Sequence, residues 1–279
     1  MNRIRVMVNG IPGKVACTVA GHISGDPHFE LIPVSLTGPE IFANQHAVAD
    51  QMIRLIRPEA RETVIQEIKT AHAPFITIDY THPGAVNANA DFYCRSGLPF
   101  VMGTTGGDRR QLEETIRRSD IVAVVAPNMA KQIVGFQAMM EYAADTFPDL
   151  FKGYQLEIRE SHQKGKADTS GTAKAMVRYF NRLGVPFSED RIVMERDPQS
   201  QKERWRIPNA YLSGHAWHTY TLVSEDGTVR FEFTHNVNGR EIYALGTLDA
   251  VRFLNQKLAS RERGRMYTMI DVLKERVAA

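Results

Sequence analysis

The stretch Glu160-Ser161-His162-Gln163-Lys164-Gly165-Lys166-Ala167-Asp168-Thr169-Ser170-Gly171-Thr172-Ala173 concentrates titratable side chains beside a feature that binds anions. Ser170 or Thr172 can cap a helix running to about residue 183, where Gly184 and Pro186 stop it. The mouth of that helix offers backbone N–H groups and hydroxyls to a carboxylate, and Lys166 adds the positive charge that a dicarboxylate requires. His162 or Lys166 could supply the proton that completes a reduction. Asp168 could orient the lysine or cap the helix. Taken alone, these residues also fit a polar, capped loop without a ligand.

A second candidate lies near the start of the chain. Gly10-Ile11-Pro12-Gly13-Lys14 follows a β-branched run (residues 3–8) and precedes a helix-compatible segment (residues 15–22). Glycine at a strand-to-helix turn lets the backbone approach a pyrophosphate, whose charge the helix N-terminus stabilises. Ala16 stands where the usual fingerprint has its third glycine. A tight turn holding no ligand is the alternative. At the end of the second expected strand, residues 34–38 read Val-Ser-Leu-Thr-Gly, with no Asp or Glu to bind a ribose hydroxyl. With Lys14 nearby this favours NADPH, although a merely solvated Lys14 would leave both NADPH and NADH usable.

Gly103-Thr104-Thr105-Gly106-Gly107 is another glycine-rich strand exit, and ligands of open parallel sheets sit outside such carboxyl ends. Ala126-Pro127-Asn128-Met129 ends the next strand, where it can line the same crevice or serve only as a hinge. Histidines 215 and 218, three apart in an expected strand, should point to opposite faces and read as core or surface residues. His235 and Arg240 flank a turn, and Arg240 is a candidate site residue. No zinc-type Cys/His spacing accompanies Cys17 and Cys94, so no metal and no disulfide is expected.

Elements that would position these groups follow from periodicity. Short apolar runs at 31–36, 75–78, 100–102 and 121–125 alternate with helix-like segments at 48–71 and 109–118, the pattern of a parallel sheet with helices on its faces. A helix is expected over 131–147. Segments 154–160, 215–222 and 228–235 are rich in β-branched and aromatic residues, with Glu225-Asp226-Gly227 as a hairpin turn. Residues 197–208 read as an exposed loop, and 243–254 and 266–273 as helices returning to the first domain. The expected fold is α/β: a Rossmann-type dinucleotide-binding domain (1–129 and 241–279) plus an α+β substrate-binding and oligomerisation domain (130–240) with an open mixed, mostly antiparallel sheet. The active site is expected between the two.

Composition excludes several classes. The 279 residues carry 34 basic and 32 acidic side chains, a net +2 that gives no general attraction for nucleic acid or an anionic membrane. No run reaches the length of a membrane span, and the opening residues lack a secretory leader, so a cytoplasmic or other reducing location is expected.

The 160–173 stretch resembles the signature E-x-H-H-x-x-K-x-D-A-P-S-G-T-A of the dihydrodipicolinate reductase family, with His162 at its first histidine and Lys166 at its lysine. Gln163 replaces the second histidine, and one residue is missing before Ser170. The shorter form is similar to the plant-type branch, as is Gly103-Thr104-Thr105-Gly106-Gly107-Asp108-Arg109. Asp79-Tyr80-Thr81, Ser213-Gly214-His215, Phe231 to Asn236, Gly239-Arg240 and Asp271-Val272-Leu273 extend the resemblance over nearly the whole chain. It implies NAD(P)H-dependent reduction of 4-hydroxy-tetrahydrodipicolinate, through its dehydrated imine, to tetrahydrodipicolinate in lysine biosynthesis. It further implies that Gly10, Gly13, Lys14, Thr81, Gly103, Thr104 and Asn128, with Arg240, serve the cofactor. Thr105, Gln163, Ser170, Gly171 and Thr172 would hold the small dicarboxylate, with His162 and Lys166 catalytic. A homo-oligomer, dimer or tetramer, is expected. Another small anionic imine or carbonyl substrate, or a non-catalytic cofactor sensor, are the rival readings.

Overall fold

Strands buried on both faces need helices on both sides, and the central strands here are of that kind. In the computed structural model, which describes residues 3–275, Ile4–Asn9 pairs with Phe29–Leu31 on one side and Ile76–Asp79 on the other. Phe100–Met102, Val122–Val125 and Arg265–Tyr267 complete a six-stranded parallel sheet. Met7, Phe100, Met102, Ala123 and Val125 share one core with Ile65, Phe92, Tyr93, Leu112 and Ile116 from the helices Arg61–His72, Val86–Arg95 and Arg109–Arg117. The helix Lys14–Gly25 lies against the long helix Glu241–Ala259. Gly246 is required there, because a Cβ would overlap the carbonyl oxygen of Met129.

The second sheet is open and mixed. Gln155–His162, His215–Val223 and Arg230–Asn238 are antiparallel neighbours, and the short Val193–Glu195 adds in parallel at the edge. Leu156, Ile158, Tyr220 and Leu222 alternate onto one face, where Met176, Val177 and Phe180 of the helix Gly171–Arg182 and Met140 and Ala144 of Lys131–Thr146 cover them. Contacts divide the chain into two compact units, one up to Lys131 and again from Glu241, the other Gln132–Arg240.

Four stretches depart from the sequence reading. Residues 48–56 are strand, not helix: Gln45–Val48 and Gln51–Ile56 form an antiparallel pair, and the helix begins only after Pro58. The burial of Ile53 and Leu55 between exposed Met52 and Arg54 is a two-residue period that the longer helical pattern masks. The expected strand at 31–36 is two strands broken by Pro33, with Phe29–Leu31 in the large sheet and Val34–Leu36 beside Gln51–Ile56 in a three-stranded one. Within 197–208, Asp197 caps a one-turn helix, Pro198–Glu203, whose Gln201 is fully buried. Residues 265–267 are an edge strand, after which Thr268 and Asp271 form a capping box for Met269–Lys274.

Candidate functional site

Strand register assembles a buried ionisable row in the second unit. His218 lies directly opposite Glu160 on one side and His235 on the other, and directly opposed residues share a sheet face. His162, two residues beyond Glu160, falls on that face as well. Glu160 is fully buried, and its Oε2 lies 3.6 Å from Nε2 of His218 and 3.9 Å from Nε2 of His162. The rings of His162 and His218 meet edge to face with centroids 5.1 Å apart, and those of His218 and His235 are 4.7 Å apart. Burial alone would raise the Glu160 carboxyl, but the approach of His218 and the Arg196 guanidinium outweighs it and holds the group at about 2. Burial, reinforced by His218, pushes His162 down to about 3, against the opposing attraction of Glu160. Burial and His218 likewise bring the half-buried His235 to about 3. Nε2 of His162 and both ring nitrogens of His218 are buried without a hydrogen-bond partner, a condition rare in native interiors.

Glu160 also anchors the loop that follows the strand. Arg196, the residue after Val193–Glu195, donates to Glu160 Oε1 at 2.5 Å and to the Lys166 carbonyl at 2.8 Å, while the N–H of Ser170 donates to Glu160 Oε2 at 3.1 Å. The middle of the 163–169 loop, through Arg196, and its end, through Ser170, are thus tied to one carboxylate. Lys166 Nζ donates to Asp168 at 2.8 Å, so Asp168 orients the lysine. Ser170 is the helix cap, accepting from the Thr172 N–H at 3.2 Å. Buried Gln201 donates to the His162 carbonyl at 2.7 Å. The donor atoms of Glu160, His162 and His218 lie within 4.8 Å of one another, close enough to share a metal ion. Glu160 already spends its charge on Arg196, and a dication there would face a guanidinium across a buried gap.

In the first unit, Gly10 has φ +97° and a Cβ on it would overlap the Tyr80 carbonyl, so only glycine fits the turn. Gly13 and Lys14 are exposed at the start of the helix Lys14–Gly25, leaving a bare helix N-terminus of the shape a pyrophosphate needs. Buried Asp79 organises the neighbouring strand exits, accepting from Thr104 Oγ1 at 2.5 Å, Thr81 Oγ1 at 2.9 Å, Asn89 at 3.0 Å and Tyr93 at 2.7 Å. Thr81 N–H donates to Thr104 Oγ1 at 2.8 Å. Thr81, Gly103 and Thr104 are therefore held at the same ends of the parallel strands as Gly10. Thr105 is exposed just beyond them. Asn128 caps the turn into the next helix by accepting from the Ala130 N–H at 2.9 Å. Glu40 corrects the expectation of a strand end without a carboxylate, because the turn after Gly38 folds its side chain back over that glycine.

Family models agree with this arrangement in both units. "Dihydrodipicolinate reductase, N-terminus" matches residues 4–129, and "Dihydrodipicolinate reductase, C-terminus" matches 133–273. The chain belongs to the dihydrodipicolinate reductase family. Reductases of this family use a nicotinamide dinucleotide, and the bare turn at Gly10 to Lys14 fits one. The chain is 45% identical over 270 residues to "Probable 4-hydroxy-tetrahydrodipicolinate reductase 2, chloroplastic" of Oryza sativa subsp. japonica, covering 97% of this chain and 83% of that protein. It is 46% identical over 274 residues to "4-hydroxy-tetrahydrodipicolinate reductase 1, chloroplastic" of Arabidopsis thaliana, covering 98% and 79%. Against the 4-hydroxy-tetrahydrodipicolinate reductase of Herminiimonas arsenicoxydans the identity is 26%, over 98% and 99%, so the plant-type likeness is the stronger. The fold matches "Dipicolinate bound Dihydrodipicolinate reductase from Paenisporosarcina sp. TG-14" with a TM-score of 0.66 at 18% identity, covering 95% of this chain and 97% of that one.

Of the residues singled out in this dihydrodipicolinate reductase sequence, His162, Gln163, Lys166, Ser170, Gly171 and Thr172 come together on one strand, loop and helix mouth of the second unit. Gly10, Gly13, Lys14, Thr81, Gly103, Thr104, Thr105 and Asn128 belong to the first. Arg240 closes the second unit, its guanidinium against Gly214. Opposite faces for His215 and His218 is right, and both are buried: His215 is held by Ser161 and the Tyr211 carbonyl, while His218 faces Glu160. Arg196 was not distinguishable in sequence, since it acts through Glu160 and Lys166, 36 and 30 residues away.

Proposed function

We propose that this chain reduces 4-hydroxy-tetrahydrodipicolinate, as its dehydrated cyclic imine, to tetrahydrodipicolinate, taking hydride from NADPH in preference to NADH. The observation that carries the reading is the double tie of the 163–169 loop to Glu160, which presents Lys166 and the Ser170–Thr172 helix mouth as fixed partners for two carboxylates. Each turnover adds one hydride and one proton to the conjugated ring. The cofactor supplies the hydride when bound.

The chain's own residues handle charge and proton. Lys166 and the helix mouth neutralise the substrate carboxylates, with Thr105 and Gln163 as further hydrogen-bond donors. His162, held neutral by burial and by His218, is a poor acid until a dianion arrives beside it. The added negative charge restores its proton affinity, so the imidazole takes up a proton as substrate binds and returns it to the ring after hydride transfer. Gly10, Gly13 and Lys14 carry the pyrophosphate, and Thr81, Gly103, Thr104, Asn128 and Arg240 serve the ribose and nicotinamide. The first unit is accordingly the cofactor domain and the second the substrate domain, and the reaction requires the two ligands to meet.

Glu157, Arg159 and Thr234 are exposed on the sheet face opposite the helices, which supports assembly of identical copies as a dimer or tetramer. No helix among the described residues is long and apolar enough to cross a membrane. Two unpaired cysteines agree with the cytoplasm or another reducing compartment, the plant relatives being named chloroplastic.

NADPH oxidation with freshly formed dihydrodipicolinate synthase product tests the proposal. Substrate-dependent oxidation is expected. Tight NADPH binding without that turnover would favour a different anionic imine or carbonyl substrate, for which Gln163 in place of a chargeable histidine is the motivating feature.

A further inference from the structure

Protonation of the ring by His162 leaves two neighbouring imidazoles without a task. His218 and His235 face each other across the strands His215–Val223 and Arg230–Asn238, with ring centres 4.7 Å apart. On its other side His218 meets His162 at 5.1 Å. The two ends of this row differ. His162, next to the loop that carries Lys166, is 7% exposed and His218 2%, whereas His235 is only half-buried. Four ring nitrogens along the row, Nε2 of His162, both of His218 and Nδ1 of His235, are buried with no hydrogen-bond partner. A plain core would fill these positions with apolar rings, because each unpartnered nitrogen costs stability. The other nitrogen of His235, Nε2, lies 3.3 Å from the Tyr220 hydroxyl. Charge gathers at the inner end, where Glu160 Oε2 stands 3.6 Å from Nε2 of His218 and 3.9 Å from Nε2 of His162, and where Arg196 and Lys166 act on His162 through space. At the outer end Phe136, on the helix Lys131–Thr146, packs against His235 with ring centres 5.9 Å apart.

We propose that His235, His218 and His162 form a proton path from solvent to the reacting ring, with His218 as the relay, an inference that rests on the reading of His162 as the ring's proton donor. A neutral imidazole accepts a proton at one nitrogen and gives one up from the other, so it passes a proton on without staying charged. His218, with both nitrogens uncommitted, has the form such a relay needs. Histidine χ2 is loosely held, and at spacings of 4.7 and 5.1 Å a modest rotation brings nitrogens of neighbouring rings within hydrogen-bond reach. In each turnover His235 takes a proton from solvent at Nε2 as its Nδ1 proton passes to His218. His218 then gives one from Nε2 to His162, and His162 gives one to the ring. One proton leaves solvent and one enters the product, no electron moves along the row, and ring rotation restores the starting tautomers. Glu160, facing both Nε2 atoms, stabilises the positive charge while it passes between His218 and His162.

Stopped-flow mixing with a pH indicator tests the path without turnover, by following proton uptake when the whole protein, with NADP+ present, meets pyridine-2,6-dicarboxylate, a cyclic dianion that carries the two carboxylates. The parent protein is expected to take up a proton as fast as the dianion binds. His218→Gln and His235→Ala should bind the dianion within about twofold of the parent yet take up the proton at least about 10-fold more slowly, with kcat for imine reduction lowered in step. Added imidazole should restore the rate of His235→Ala, whose position opens toward solvent, a rescue that a merely structural histidine would not show. His235→Ala also keeps the test intact if His218→Gln fails to fold. Uptake at the parent's rate in either variant, or a slowed His235→Ala that imidazole does not accelerate, overturns the proposal. A parent that takes up no proton on addition of the dianion overturns it together with the role of His162, whereas His218-dependent uptake in a protein that fails to reduce the imine leaves the path standing and removes only the substrate assignment.

Discussion

Glu160 and His218 face each other across neighbouring antiparallel strands, with Oε2 and Nε2 3.6 Å apart and almost no solvent access to either. The same carboxylate reaches Arg196 with its other oxygen and the Ser170 N–H with Oε2. One buried charge therefore connects the histidine row to the loop that carries Lys166, and the site's shape and its proton affinities depend on the same group.

Removing that carboxylate should cost stability as well as activity. Glu160→Ala leaves the mostly buried Arg196 guanidinium with carbonyl partners only and no countercharge, and is expected to destabilise by roughly 2–4 kcal/mol. Urea unfolding measures this, and a loss below about 1 kcal/mol would mean that Arg196 finds solvent and the tie is not structural.

Acid sensitivity follows from the histidines. His162 and His235 are neutral in the folded chain down to about pH 3, but in the unfolded chain they take up protons below about 6.5. The unfolded state binds more protons across that interval, so stability is complete above pH 6.5 and declines as pH falls toward 3. Glu160 adds a further loss lower down, between its unfolded value near 4.3 and its folded value of about 2. The urea midpoint should drop between pH 7.5 and pH 5, and His235→Phe should flatten the slope. A midpoint that rises on acidification contradicts the buried, neutral assignment.

His162→Asn tests proton delivery. It keeps a polar side chain in the pocket but cannot carry the proton, and kcat should fall on the order of 10²- to 10⁴-fold with little change in cofactor binding. The alkaline limb of the kcat profile, where a proton-donating His162 loses its proton, should disappear with it. An unchanged profile would assign the proton to another group.

Legibility in the sequence varied with the range of the interaction. Strand, glycine turn and helix at 4–25, and a helix cap at Ser170 or Thr172, are written in adjacent residues; the structure chooses Ser170. The segment 48–56 failed because three- and four-residue apolar spacing overlaps a two-residue period, and Pro58 was the signal that should have split it. Arg196 against Glu160 and His218 between Glu160 and His235 depend on register between positions 17 to 58 residues apart. Spacing along one chain does not encode such register.

The most direct measurement compares Lys166→Ala with the parent protein in two assays, reduction of the dihydrodipicolinate synthase product and binding of NADPH. Loss of a charged contact to the substrate should lower kcat/KM by at least about 10-fold, while the NADPH dissociation constant stays within about twofold. Undiminished reduction by Lys166→Ala would contradict the assignment of this loop as the site that holds the substrate.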